Sequence, residues 1–142
     1  MKNQADLAAR LHSASIRLLR RLSVADRSAG TSSARLSALS VLIHAGPQTA
    51  SSLAVAERLR LPTISRLLKG MEADGLVRRK ADASDGRVAW FEASAKGRRL
   101  LEHARNKRLA MLAEMLEKAS VDERRQLLEA VAVLERLLGP RN

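Results

Sequence analysis

Apolar positions recur at helical spacing over most of the chain. Near the N-terminus Leu7, Leu11, Leu18 and Leu22 share one face, Ile16 and Leu19 widen it, and Arg10, Arg17, Arg20 and Arg21 lie mostly elsewhere. That pattern predicts a helix from about Gln4 to Leu22. A small polar connector, Ser28 to Ser33, leads to a second helix through Leu36, Leu39 and Ile43, with Ser32 or Ser33 as its cap and Gly46-Pro47 as its stop. Thr49 is placed to cap a short helix from Ala50 to about Arg58. After a tight connection at Leu59-Arg60-Leu61, Pro62 suits the first turn of a third helix, where its missing N–H costs nothing. Ile64, Leu67, Leu68 and Met71 form the apolar face of that helix, and Gly75 suits its end.

Beyond Gly75 the period changes. Leu76 to Lys80 and Val88 to Glu92 are short runs of the β type, separated by a turn-rich stretch, Ala81 to Arg87, that contains Asp85-Gly86. This predicts a hairpin with a basic arm and a mobile tip. Helical spacing then returns. Ser94 is placed to cap a helix from about Ala95 to Ala119, and Ser120 with Glu123 has the spacing of a capping box. The last helix presents Leu127, Val131, Leu134 and Leu138 on one face and ends at Gly139-Pro140. The fold class is therefore mainly α with a small β-hairpin wing (α+β).

Composition narrows the picture. Of 142 residues, 46% are hydrophobic, enough for a real core, but Trp90 and Phe91 are the whole aromatic content, so that core is aliphatic. No apolar run reaches the roughly 20 residues that span a bilayer, and Met1 to Asp6 lack the apolar core of a signal peptide, so a soluble cytoplasmic protein is expected, with no membrane partner. The absence of cysteine excludes disulfides, thiolate metal sites and thiol redox sensing by this chain. The formal net charge is +11. Residues 58–108 carry 14 basic and 6 acidic side chains, whereas residues 109–142 carry 5 and 6. A basic excess concentrated in the middle of a chain suits a polyanion, since each neutralised phosphate releases a counterion. A solubilising surface is the blander account of the same charge.

The order helix, helix, turn, helix, hairpin decides between them. A short helix joined by a tight turn to a second helix places that second helix in a DNA major groove, and the hairpin beside it forms a wing. With Ile64, Leu67 and Leu68 inward, Thr63, Ser65 and Arg66 face outward. Hydroxyls donate to phosphates or base edges, and a guanidinium can grip guanine O6 and N7 together. The blander alternative leaves Thr63 and Ser65 as caps and Arg66 as a solvated charge. The hairpin and the charge distribution favour DNA.

The run Leu61-Pro62-Thr63-Ile64-Ser65-Arg66-Leu67-Leu68, then Met71 through Arg79, then Asp82 and Asp85-Gly86-Arg87, strongly resembles the MarR family of transcriptional regulators. Ala93-Ser94-Ala95-Lys96-Gly97 stands where that family usually has Leu-Thr-x-x-Gly. The resemblance covers nearly the whole chain. It implies one MarR-like domain over 1–142, with dimerisation helices at 1–30 and 95–142 and a winged helix-turn-helix DNA-binding region at 32–94. It implies a homodimer on double-stranded DNA with a pseudo-palindromic operator, usually as a repressor, and a small phenolic or aromatic effector. Carried over by position, Pro62, Thr63, Ser65 and Arg66 make groove and phosphate contacts. Arg87 enters the minor groove with Asp85 steadying it, and Arg78, Arg79 and Lys80 reach the backbone. Arg60, standing where a small capping residue is common, is read as a phosphate contact, and Lys69 completes the DNA-binding set. Glu57 and Arg58 also depart from the family pattern.

No cofactor is implied, and an enzyme is not expected. The chain has no cysteine nucleophile, no glycine-rich phosphate loop and no metal-ligand spacing, and His12, His44 and His103 are scattered. A non-specific architectural DNA binder is the alternative that the charge leaves open, because phosphate contacts carry no sequence information.

Overall fold

The computed structural model describes residues 2–139. Among them the elements run α1 (Lys2–Ser28), α2 (Ser33–His44), β1 (Gln48–Thr49), α3 (Ala50–Glu57), α4 (Leu61–Ala73), β2 (Val77–Ala81), β3 (Ala89–Ala93), α5 (Ala95–Glu117) and α6 (Val121–Leu138). Pro140, read with Gly139 as the final stop, lies outside the described residues. The contacts divide the chain into one unit up to Arg108 and a second from Leu109.

The first unit closes around an aliphatic core. Leu39, Leu42, Leu53, Ile64, Leu68 and Met71 are essentially inaccessible, with Leu76, Val77 and Phe91 completing the cluster from the wing side. Burial of such side chains contributes about 1.5–3 kcal/mol each. Local chemistry sets the helix ends. The Ser32 hydroxyl accepts from the Arg35 N–H, and Thr49 and Ser52 form a reciprocal capping box at the start of α3. Gly75 takes φ +71°, which lets the Gly75 and Leu76 N–H groups bond back to Glu72 and Met71 and ends α4. Arg58 ends α3 in the left-handed region, at φ 54°, so a side-chain-bearing residue sits where glycine is cheaper.

The sheet has the order β1-β3-β2, antiparallel throughout. Val77 pairs with Ala93, Arg79 with Phe91 and Ala81 with Ala89. The strands begin one residue later than periodicity predicts, and β1, two residues long, is too short to leave a period. Ser94 locks the exit of the wing: its hydroxyl donates to the Gly75 carbonyl (2.6 Å) and accepts from the Gly97 N–H (3.0 Å). Gly97 lies so close to the Leu76 carbonyl that a Cβ there would overlap it and crowd Leu39. This explains a glycine inside a helix that otherwise disfavours one.

Helix α1 extends to Ser28, past the predicted end at Leu22. The extension is held by polar contacts, which leave no hydrophobic period to read. Asp26 is fully buried and takes both Nε and Nη2 of Arg108 (2.5 and 2.6 Å) and the Ser33 hydroxyl (2.5 Å). The Arg108 guanidinium holds the Asp26 carboxyl below the ordinary value of 3.8 against the opposing effect of burial, with Ser33 adding to it. This clasp joins the end of α1, the start of α2 and the middle of α5.

In the second unit, the remainder of α5 is followed by α6. The Ser120–Glu123 capping box is present as expected, with the Ser120 N–H on Glu123 Oε2 at 2.8 Å. Helix α6 buries no residue in the chain, and Leu127, Leu128, Val131, Leu137 and Leu138 are exposed.

Two outcomes are expected. Gly97→Ala should destabilise by about 2–3 kcal/mol, because a backbone carbonyl cannot retreat as a side chain can; a shifted urea midpoint with an unchanged slope would show it. Asp26→Asn should cost about 3 kcal/mol, the low end for a broken buried pair because Arg108 remains 34% exposed. Since the folded Asp26 pKa is depressed, its contribution is complete above 3.8 and lost as pH falls through the lower folded value. The stability gap between wild type and Asp26→Asn should therefore hold constant from pH 7 to about 5 and close only in stronger acid.

Candidate nucleic-acid interface

Helix α4 is amphipathic in the sense the sequence predicts. Ile64, Leu68 and Met71 are buried and Leu67 is half-buried, so Pro62, Thr63, Ser65, Arg66 and Lys69 are exposed. The helix is joined to α3 by Arg58, Leu59 and Arg60. Arg60 is its N-cap residue, extended at φ −71° and ψ 144°, and its side chain makes no capping bond. The positive end of α4 is thus left without a capping side chain, in the state that favours an anion. Two departures from the family pattern acquire reasons here. Arg58 makes the turn, and Glu57 accepts a hydrogen bond from the Ser37 hydroxyl at 3.0 Å, tying α3 to α2.

The wing has two faces, and its basic residues divide between them. Opposite residues in an antiparallel pair share a face, so Arg79 and Phe91 lie on one side, while Arg78 with Glu92 and Lys80 with Trp90 lie on the other. Phe91 is buried against the core, which turns Arg79 toward α4. Lys80 is held by Glu92 at 2.9 Å. The Lys80 contact draws the Glu92 carboxyl below its ordinary pKa.

Ser65 and Lys69 of α4 and Arg79 and Arg87 of the wing line a common cleft of about 570 Å³. Pro62, Thr63, Arg66, Arg60, Arg78, Lys80 and Asp85 lie outside its lining. Ser51 and Glu72 join it and were missed from sequence. Glu72 is one turn beyond Lys69, so helical spacing could have placed it, whereas Ser51 lies on α3 and reaches the cleft only through the packing of α3 beside α4. Asp85 accepts from the Arg87 N–H at 3.0 Å and approaches its Nε at 3.5 Å, the pairing expected of them. The tip expected to be mobile is internally bonded instead, through the Asp82 carboxylate, which four hydrogen bonds hold far below its ordinary pKa. A turn-rich composition signals the turn but not which side chain closes it.

His44 is engaged within its own helix, its Nδ1 2.8 Å from the Ser40 carbonyl oxygen, and His12 is exposed on α1. Among the described residues no cluster of His, Asp and Glu is placed to hold a metal ion, and no helix is long and apolar enough to cross a membrane.

The comparisons with known proteins agree with this architecture. The model of the MarR family matches residues 31–89, from the connector before α2 to the first residue of β3. An uncharacterized HTH-type transcriptional regulator of Mycobacterium bovis, Mb0904, is 35% identical over 124 residues, 87% of each chain. A putative transcriptional regulator from Pseudomonas aeruginosa PA01 superposes with a TM-score of 0.79 at 31% identity, covering 100% of this chain and 99% of that one. A variant of Staphylococcus aureus MepR, solved bound to an oligodeoxyribonucleotide, shares the fold at a TM-score of 0.70 and 20% identity, with 94% and 98% covered. With its helix-turn-helix, its three-stranded wing and a 35% identical relative spanning most of its length, the chain belongs to the MarR family of winged helix-turn-helix transcriptional regulators.

Proposed function

We propose that this regulator binds a pseudo-palindromic DNA operator as a homodimer and represses transcription from it. The observation that carries the reading is the cleft shared by α4 and the wing, where Ser65, Lys69, Arg79 and Arg87 converge beside the exposed Thr63 and Arg66. In this reading α4 lies in the major groove with Thr63, Ser65 and Arg66 at base edges and phosphates. Arg60 and Pro62 stand where its N-terminus meets the backbone, and Arg87 enters the minor groove beside the wing. The relative solved with an oligodeoxyribonucleotide, which shares this fold, supports DNA as the partner.

The dimer is supported by the helices outside the winged region. Leu7, Leu11 and Leu19 of α1, and Leu127, Leu128, Leu137 and Leu138 of α6, are exposed apolar side chains on long helices. A second copy would bury them, making 1–30 and 95–142 the dimerisation helices around a DNA-binding region at 32–94. A two-fold dimer matches a two-fold operator with half-sites about one helical turn apart. Release by a small phenolic or aromatic effector completes the proposal and is carried by the family resemblance.

Alanine substitutions test the interface on a duplex that the wild type selects from a random-sequence pool. Arg66→Ala should weaken binding by about 1–3 kcal/mol and relax the preferred sequence, as loss of a base contact does. Arg79→Ala should lower affinity and reduce the dependence of log affinity on log salt by about one. Lys80→Ala, on the far face and paired with Glu92, should bind nearly as wild type. Equal affinity of all three variants and wild type for selected and random duplexes would remove the regulator reading and leave an architectural binder.

A further inference from the structure

The wing tip is organised around one carboxylate. Asp82 Oδ1 accepts from the Ser84 N–H (2.8 Å), the Ser84 hydroxyl (2.7 Å) and the Asp85 N–H (3.1 Å). Its Oδ2 accepts from the indole N–H of Trp90 at 2.6 Å. A carboxylate offers about two lone-pair sites on each oxygen, so Oδ1 is fully engaged by the tip and Oδ2 carries the indole alone. The donors are backbone amides, a hydroxyl and an indole, all neutral. Ser84 and then Trp90 contribute most to holding this carboxyl ionised.

The bonds continue outward in sequence. Asp82 fixes the Asp85 N–H, Asp85 accepts from the Arg87 N–H, and the Val88 N–H closes on the Asp85 carbonyl at 3.0 Å. Arg87 itself is 95% exposed, and its ion pair with Asp85 at 3.5 Å is long and open to water. Such a pair fixes a side chain weakly, so the position of the Arg87 guanidinium is set by the backbone of the tip. That backbone is tied down at Asp82, and Asp82 is tied to Trp90.

Trp90 sits on β3, the middle strand of the sheet, opposite Lys80 on one side and Thr49 on the other. It lies on the outer face, 37% exposed, and the core is built without it. A position of that kind accepts any strand-forming residue, and the tryptophan here adds a donor, the indole N–H, on a wide rigid ring.

We propose that Trp90 and Asp82 form a brace whose role is to position Arg87 on DNA: the indole carries the rigidity of the central strand into the tip, and the tip presents the arginine. Trp90 and Asp82 are positioning residues in this account and touch no DNA. The inference rests on the reading of Arg87 as a DNA contact.

The test uses the full chain and a duplex that the wild type selects from a random-sequence pool. Trp90→Phe keeps an aromatic ring and removes the donor; Asp82→Asn keeps the size and weakens the acceptor. Each is measured alone and together with Arg87→Ala for affinity and its salt dependence, with urea unfolding alongside. Trp90 is the only tryptophan of the chain, so its emission reports the brace directly. It should shift in Asp82→Asn and stay as in wild type in Arg87→Ala. The expected result is a loss of about 3- to 10-fold for Trp90→Phe and for Asp82→Asn, with the salt dependence falling toward that of Arg87→Ala, and no further loss when either is added to Arg87→Ala. The urea midpoint should stay within error of wild type for Trp90→Phe. Full affinity of Trp90→Phe and Asp82→Asn beside a weakened Arg87→Ala would overturn the brace while leaving the Arg87 contact intact. Losses that multiply with Arg87→Ala would show the pair acting on something other than Arg87, and would also overturn it. Full affinity of Arg87→Ala would overturn the contact, and the brace with it.

Discussion

The burial of Ile64, Leu68 and Met71 is the constraint on which the rest of the structure depends. These three side chains are the face by which α4 enters the core formed with Leu39, Leu42, Leu53 and Phe91. Successive helix positions are about 100° apart, so fixing that face fixes what points away from it. Thr63, Ser65, Arg66 and Lys69 are outward because their neighbours are inward. A slip of one position toward the C-terminus would bring Ser65, Lys69 and Glu72 inward in their place, at the cost of buried charge. The core therefore does more than stabilise the domain. It also aims the exposed face of α4.

Charge is arranged with the same economy. The acidic residues of the middle segment are largely engaged in holding positions: Asp74 with Arg35 at 2.6 Å, Glu92 with Lys80, and Asp85 with Arg87. Asp82 is satisfied by neutral donors and takes no basic residue out of play. Arg60, Arg66, Lys69 and Arg79 are left facing solvent on or near the helix-turn-helix and the inner face of the wing. An uncompensated basic surface on a rigid scaffold draws a polyanion at long range. In the proposed interface the hydroxyls and the arginine fork at the N-terminus of α4 would add groups that tell one base pair from another. Asp26 performs a related task away from that surface, where a buried carboxylate fastens three helix segments through Arg108 and Ser33.

Much of this was legible in the sequence, because the relevant signals are local. Caps at Thr49, Ser94 and Ser120, the proline early in α4 and the Gly75 stop each follow from hydrogen-bond chemistry within a turn or two, and the 3.6-residue period marked the buried face of α4. What escaped was non-local or too short. The strand Gln48–Thr49 has no period, since two residues define none. The last turn of α1 is stabilised by Arg108, 82 positions away. The division of wing residues between two faces depends on the register of β2 against β3, and sequence alone did not separate Arg79 from Lys80. The Trp90–Asp82 contact spans a seven-residue turn whose composition announced a bend without announcing its closure.

The central claim is that this surface reads DNA sequence as a two-fold dimer. Selection of bound fragments from a random-sequence pool, followed by titration of the selected and unselected duplexes at two salt concentrations, tests it most directly. The account predicts a two-fold symmetric consensus with half-sites about one helical turn apart and a preference of about a thousandfold or more over random DNA. Enrichment of no consensus, with every duplex bound alike and the same steep salt dependence throughout, would contradict it.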